Sequence, residues 1–308
     1  MKYFCAIFVL LIVLGLNASD GYDCKIVQFI FGDSLSDVGN NRNLPRSLAQ
    51  ANLPFYGIDF GNGLPNGRFT NGRTVSDIIG DKIGLPRPVA FLDPSMNDDV
   101  ILENGVNYAS GGGGILNETG GYFIQRFSLW KQIELFQGTQ DVLHSLGARK
   151  LMVFGLGPMG CIPLQRALSF DGQCQNKASN LAKRFNKAAA TMLQDLETKL
   201  PNASYKFGEA YDLVNDVITN PQKYGFDNSD SPCCSFYKIR PALTCIPAST
   251  LCKDRSKYVF WDEYHPTDKA NELVANILIK RFDFMRADDG PSDSPSPAPD
   301  LAPSPDDN

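Results

Sequence analysis

One apolar stretch near the start of the chain limits the folds that this sequence can adopt. Val27, Phe29, Ile30 and Phe31 form a run of β-strand length and composition. The run ends at Gly32-Asp33-Ser34-Leu35, and a polar loop rich in Gly and Asn follows. The helices and strands predicted after it alternate along the chain. The sequence therefore predicts a doubly wound, mainly parallel α/β sheet that is flanked by helices.

Hydrophobic periodicity places the other elements of this sheet. Helices are predicted over 74–83, 128–146, 178–200 and 268–282, and strands over 105–109, 150–156, 205–211 and 257–260. In the third helix the apolar residues at helical spacing are expected to face the core; they are Leu181, Phe185, Ala188, Met192 and Leu196.

The first 19 residues have the pattern of a secretion signal. Lys2 supplies the positive charge, residues 3–16 are apolar, and Ala18 and Ser19 offer a cleavage site. The alternative is a membrane anchor, but the run is short for a span and no later stretch is apolar enough. We expect removal of residues 1–19 and one folded domain over residues 20–286.

Residues 287–308 are predicted to be a disordered tail rich in Asp, Pro and Ser. They contain six Asp and no Lys or Arg, whereas the whole chain has a formal net charge of -5. The rest of the chain is therefore close to neutral, which argues against a nucleic-acid partner.

Cysteines and glycosylation motifs fit an oxidising, secretory route. Two cysteines flank a short loop and four lie in a Pro-rich segment, so disulfides are expected among Cys161, Cys174, Cys233, Cys234, Cys245 and Cys252. The alternative of a zinc site is weak, because the chain has only two His and no paired Cys-x-x-Cys. The pairing cannot be deduced from sequence, and Cys24 is a candidate for a free thiol. Asn117 and Asn202 begin Asn-x-Ser/Thr triplets that predict glycosylation.

Ser34 is a candidate nucleophile, because a serine just past a buried parallel strand lies where open α/β sheets bind ligands. The alternative is that Ser34 only caps a helix or a turn. Asp262 and His265, three residues apart after a predicted strand, favour the first interpretation. Acyl transfer by a serine needs a nucleophile, a base and a group that orients the base, and these three side chains can supply them. Asp262 could instead cap the following turn.

The glycines at 111–114 follow the predicted strand over 105–109. Their backbone amides could bind a phosphate, form a tight turn or contact a reacting carbonyl oxygen. No Gly-Lys-Ser/Thr follows them, which argues against a phosphate-binding loop. The turn and the carbonyl contact stay open on the residues alone.

Four blocks together resemble the plant GDSL esterases/lipases of the SGNH hydrolase superfamily. They are FGDSLSDVGNN around Ser34, NYASGGGGI at 107–115, GLGPMGCIP at 155–163 and YVFWDEYHPTDKAN at 258–271. The resemblance covers nearly all of the chain except the acidic tail. It implies a three-layer, flavodoxin-like fold and a secreted or apoplastic hydrolase of acyl esters that needs no metal or other cofactor. It also implies Ser34 as the nucleophile, His265 as the base and Asp262 as its partner, with an oxyanion hole formed by the N–H groups of Ser34 and Gly111, or Gly112 as the alternative.

One block of the family is missing from the sequence. Family members carry Gly-x-Asn-Asp at the end of a central strand, where the asparagine completes the oxyanion hole, and no Gly-x-Asn-Asp occurs here. Gln140-Asp141 joins two helices that flank a longer insert in relatives. We therefore expect a smaller sheet, one central strand short, whose neighbouring strands close the gap or keep unpaired backbone groups.

Two functions follow. The first is a secreted serine esterase or lipase with reduced activity, since losing one oxyanion donor typically costs roughly 10²–10³ in turnover. The second is an inactive secreted protein that binds lipid or cell-wall glycan. Short acyl esters, cutin or wax lipids and acetylated polysaccharide all fit the first as substrates.

Overall fold

A computed structural model of the protein describes residues 4–9, 11–13, 25–143, 150–199, 204–236 and 245–281. The strands are β1 Phe4–Val9, β2 Leu11–Val13, β3 Lys25–Ile30, β4 Val89–Ala90, β5 Gly105–Asn107, β6 Lys150–Phe154, β7 Ser204–Gly208, β8 Asn228–Pro232, β9 Cys234–Ser235, β10 Thr250–Leu251 and β11 Tyr258–Phe260. The α-helices are α1 Val75–Lys82, α2 Asp98–Asn104, α3 Leu129–Leu143, α4 Pro163–Leu168, α5 Asn176–Lys199, α6 Tyr211–Thr219 and α7 Asp268–Arg281. Every predicted helix and strand has a counterpart within a few residues. The helices α2, α4 and α6 and the strands β1, β2, β4, β8, β9 and β10 were not predicted.

The main sheet is built around β3. On one side β3 pairs in parallel with β5, and β5 pairs in parallel with β4. On the other side β6 and β7 form a parallel pair. The predicted class, an α/β fold with a mainly parallel sheet, is confirmed.

Helices cover both faces of β3, because its alternate side chains point to opposite sides of the sheet. Val27 and Phe29 pack with residues of α2 and α3. Ile30 packs with α1 and α7 on the other face. All three side chains are at most 1% exposed. The C-terminal end of β3, and the loop that carries Ser34, are therefore fixed by two packed layers.

The N-terminal segment occupies the place where a missing strand was expected. β1 runs parallel to β3, from Phe4 opposite Lys25 to Phe8 opposite Phe29, and its end pairs with β6. β2 pairs antiparallel with both β3 and β6. The prediction that the neighbouring strands close the gap or keep unpaired backbone groups is therefore wrong in both of its alternatives. Buried backbone groups of β3 and β6 need partners, and β1 and β2 supply them.

This pairing conflicts with the predicted removal of residues 1–19. A segment that is cleaved off cannot also pair with β3 in the same molecule. The predicted cleavage site lies outside the described residues, as do Cys24 and the tail over 287–308.

The longest helix buries a different face from the predicted one. The fully buried positions of α5 are Ser179, Ala182, Asn186, Ala189 and Leu193. Leu181 and Met192, which were expected in the core, are 57% and 54% exposed. Small residues let α5 lie close to the sheet, and Asn186 is retained there because its amide bonds the N–H and C=O of Leu156 at 2.7 and 2.8 Å.

A second, smaller region carries the C-terminal block of the sequence. β11 pairs in parallel with β8, and β9 pairs antiparallel with β10. The last predicted strand therefore lies outside the main sheet. Disulfides join Cys233 to Cys252 and Cys234 to Cys245 here, and Cys161 to Cys174 elsewhere. All six predicted cysteines are paired.

Candidate active site

The loop after β3 is held by hydrogen bonds from α3 and by hydrogen bonds within the loop itself. Gln132 of α3, fully buried, accepts the N–H of Gly32 at 2.9 Å and donates to its carbonyl at 2.8 Å. The Asp33 carbonyl accepts the N–H groups of Ser36 and Asp37. Ser34, at the tip of this turn, is only partly buried. A rigid loop thus presents the Ser34 hydroxyl where a small molecule can reach it.

The three predicted catalytic side chains form one hydrogen-bonded series. Ser34 Oγ lies 2.8 Å from His265 Nε2 across 231 sequence positions. His265 Nδ1 lies 2.8 Å from both carboxylate oxygens of Asp262. Asp262 is 0% and His265 6% exposed. The serine can therefore pass its proton to an imidazole that is already oriented by a buried carboxylate.

A short loop after β11 fixes the histidine. Asp262 Oδ1 accepts the N–H groups of Tyr264 and His265 at 2.8 and 2.9 Å. The N–H of Trp261 donates to the His265 carbonyl at 2.7 Å, which closes the loop. The N–H groups of Cys233 and Cys234 donate to the carbonyls of Phe260 and Trp261. Two disulfides are therefore joined directly to the backbone that leads into this loop.

The charge on Asp262 is stabilised inside the protein. Burial would raise the pKa of Asp262, but the nearby His265 and the hydrogen bonds from His265, Tyr264 and Tyr56 outweigh it and hold that pKa below its ordinary value. An ionised partner favours the imidazolium that forms when His265 takes a proton.

The glycine loop is tied to the nucleophile loop by Asp37. This buried carboxylate accepts the N–H groups of Gly39, Asn40 and Asn41, and that of Gly111 at 2.9 Å. Burial raises the pKa of Asp37 to about 6, although these four bonds oppose the shift. Both loops are thereby kept in one arrangement.

These bonds change the expected oxyanion hole. The Gly111 N–H, the first choice from sequence, is occupied by Asp37. The structure thus disfavours Gly111, because one N–H cannot serve both acceptors well. The N–H groups of Ser34 and Gly112 have no acceptor among the described residues. Gly112, the alternative from sequence, is the better candidate.

Glu263 is a buried acid beside the catalytic series. It is 3% exposed, its Oε2 has no hydrogen-bond partner in the described part of the chain, and Ser235 reaches Oε1 only at 3.5 Å. Burial, together with the charge of Asp262, raises the pKa of Glu263 to about 8 from an ordinary 4.5.

The Glu263→Gln variant should therefore be stabilised in a pH-dependent way. Between pH 4.5 and 8 the folded protein keeps a proton that the unfolded chain releases, so wild-type stability falls as pH rises. Glutamine resembles the protonated acid and removes this loss. We expect the free energy of unfolding of the variant to exceed that of wild type by on the order of 3 kcal/mol more at pH 8 than at pH 5.

Urea unfolding at the two pH values measures this difference. Glu103→Gln, on the exposed side of α2, is the matched control and should show no pH-dependent gain. An equal effect of Glu263→Gln at pH 5 and pH 8 would rule out a protonated Glu263.

The remaining predicted sites are partly described. Asn117 is exposed, and its side-chain oxygen accepts a hydrogen bond from Ser128 Oγ at 2.7 Å. Asn202 lies outside the described residues. Glycosylation at both positions stays a prediction. Sequence reasoning missed Tyr56 and Gln132, because only the folded chain brings them to the site. It also missed the role of Asp37, which lies in the block around Ser34 but bonds Gly111 only in the folded chain.

A mainly parallel sheet that presents a serine, together with a C-terminal region that brings a histidine and an aspartate into hydrogen-bonded series with it, is the arrangement of an α/β serine hydrolase. Among the described residues, no helix combines the length and the apolar character needed to cross a membrane.

Comparison with known proteins gives the family. The model of the GDSL-like Lipase/Acylhydrolase family matches residues 129–278, which include Asp262 and His265. The GDSL esterase/lipase At1g74460 of Arabidopsis thaliana is 77% identical and covers 99% of this chain and 100% of its own. The GDSL esterases/lipases At5g37690 and At2g23540 of the same plant are 38% and 34% identical, over 89% and 82% of this chain and 93% and 83% of theirs. The chain belongs to the GDSL esterase/lipase family, whose members are hydrolases of acyl esters.

The same comparison bears on the missing block. The alignment with the 77% identical relative has 367 positions, at least 59 more than the 308 residues of this chain. This chain therefore lacks residues that the relative has, as expected from the absence of Gly-x-Asn-Asp. α3 runs unbroken through Gln140 and Asp141, where we placed the junction.

Proposed function

We propose that this protein is a secreted carboxylic ester hydrolase in which Ser34, His265 and Asp262 form the catalytic triad. The single observation that supports it best is the 2.8 Å contact between Ser34 Oγ and His265 Nε2. Leu35 next to the nucleophile is 49% exposed, so apolar surface for an acyl chain lies beside it.

The chemistry follows from the geometry. Ser34 Oγ attacks the ester carbonyl carbon while its proton moves to His265 Nε2. The carbonyl oxygen becomes an oxyanion, which the N–H groups of Ser34 and Gly112 stabilise. His265 then donates its proton to the departing alcohol, leaving an acyl group on Ser34. Water, deprotonated by His265, releases the acid and restores the serine.

Turnover should be slow, because the asparagine donor of the family is missing. One oxyanion donor is typically worth ~2.7–4 kcal/mol. The absence of this asparagine also favours the rival function, an inactive protein that binds lipid or cell-wall glycan.

Secretion to the apoplast is part of the proposal. The apolar leader, the triplets at Asn117 and Asn202 and the disulfides support it.

Hydrolysis of p-nitrophenyl acetate, butyrate and laurate by the purified full chain tests the activity. We expect slow release of nitrophenolate above the buffer rate, with the same rate after dialysis against EDTA. Folded protein that turns over none of the three esters would favour the binding function.

A further inference from the structure

Tyr56 contributes a hydrogen bond that reaches the triad from a distant part of the chain. Its hydroxyl donates to Asp262 Oδ2 at 2.7 Å across 206 positions. Both residues are 0% exposed. Among the described residues, the other donors to Asp262 are Tyr264 and His265, which belong to its own loop. We propose that Tyr56 is a positioning residue that acts through Asp262 on the His265 base. The proposal rests on the hydrolase function proposed above.

The backbone around Tyr56 is shaped to turn this side chain inward. Phe55 has φ 78°, a left-handed conformation that is uncommon for a residue with a side chain. Gly57 has φ 69°, and a β-carbon there would lie 2.9 Å from the Leu64 carbonyl oxygen. Strained backbone of this kind persists where the surroundings fix it, and it concentrates at functional sites.

The segment around Tyr56 supports His265 as well as Asp262. The Phe69 ring lies 6.1 Å from the Tyr56 ring and 5.1 Å from the imidazole of His265, measured between centroids. The Gly57 N–H donates to the Thr70 carbonyl at 2.9 Å, which holds the two aromatic residues together. Asp59 accepts two bonds from Arg255 at 2.6 Å and fastens the loop to the C-terminal region.

The hydrogen bond from the Tyr56 hydroxyl also stabilises the negative charge of Asp262. Among the described residues, the other ionisable groups that face the pair are Asp33 near His265, and Glu263 and Tyr264 near Asp262. None of them is a cation. Without the Tyr56 hydroxyl, one of the hydrogen bonds that lower the pKa of Asp262 is lost, so the carboxylate takes up a proton at a higher pH than in wild type.

The Tyr56→Phe variant tests the proposal in the full chain, since it keeps the ring and removes one oxygen. We expect kcat for p-nitrophenyl butyrate to fall roughly ten-fold with KM unchanged. The acidic limb of kcat/KM against pH should move upward by about half a pH unit. In an Asp262→Asn background the same change should have no further effect on kcat.

Tyr224→Phe is the matched control, because the Tyr224 hydroxyl also donates to a carboxylate, that of Asp216, in a different apolar cluster. It should leave kcat and the pH profile unchanged. An unmoved acidic limb in Tyr56→Phe, or a rise in KM alone, would overturn the positioning role. If wild type itself shows no turnover, the proposed function fails rather than this inference. If Tyr56→Phe does not fold, Tyr56→Met is measured instead, because it also removes the hydroxyl and its flexible side chain can fill the buried space; activity of this variant equal to that of wild type overturns the role.

Discussion

Replacing Ser34 with alanine should lower kcat/KM for p-nitrophenyl butyrate by at least about 10³-fold, down to the rate of buffer with inert protein. The Ser34 hydroxyl lies 2.8 Å from His265 Nε2, so its removal leaves the base without a nucleophile to activate. The free energy of unfolding should change by less than about 0.5 kcal/mol, because Ser34 is only partly buried.

Ser36→Ala is the control for this prediction, since it makes the same chemical change two residues further along the loop. Its turnover should stay within about two-fold of wild type, because no hydrogen bond of the Ser36 side chain is found among the described residues. If the Ser34→Ala variant kept the turnover of wild type, the nucleophile would be another residue or the activity would come from a contaminant.

Deleting residues 1–19 should destabilise the protein strongly. The deletion removes β1 and β2, and with them five residue pairs between β1 and β3. Each buried backbone group left unpaired costs ~1–3 kcal/mol, whereas a whole domain is stable by only about 5–15 kcal/mol. We expect the shortened chain to lose most of its free energy of unfolding, or to recover it by pairing the open strands with another chain. Chemical denaturation and size-exclusion chromatography of both chains measure this.

A chain without residues 287–308 is the matched truncation, because it is of similar size and removes none of the described elements. Its stability should equal that of the full chain. Equal stability of the chain without residues 1–19 would show that β3 and β6 pair directly once the leader is gone. N-terminal sequencing of secreted protein then shows which form exists. A cleaved and weakened product would agree with slow turnover.

Much of the fold could be predicted, because its signals are local. The apolar run over 27–31 and the break at Gly32 fixed the central strand and the place of Ser34. Thr74 was predicted to begin a helix, and its hydroxyl accepts the N–H of Asp77 as an N-terminal cap. Asp262 and His265 could be paired with Ser34 from sequence because the motifs at both ends of the chain belong to one family.

The errors arose where local sequence is ambiguous. An apolar run such as residues 3–16 suits both a leader and a buried strand, and composition does not separate them. On α5 apolar side chains at helical spacing were taken for the core face, whereas smaller side chains face the sheet. Which glycine amide is free depends on where the Asp37 carboxylate lies. Tyr56 could not be found, because its partner is 206 positions away and the sequence shows no motif that links them.

Covalent labelling by a fluorophosphonate tests most directly whether His265 activates Ser34. The probe reacts only with a serine whose proton is taken by a base, so slow deacylation does not hide the result. We expect mass spectrometry to find the label on the peptide that contains Ser34 in wild type, and no label in Ser34→Ala or His265→Gln. Folded wild-type protein that stays unlabelled, or labelling of Ser34 that persists in His265→Gln, would contradict the triad.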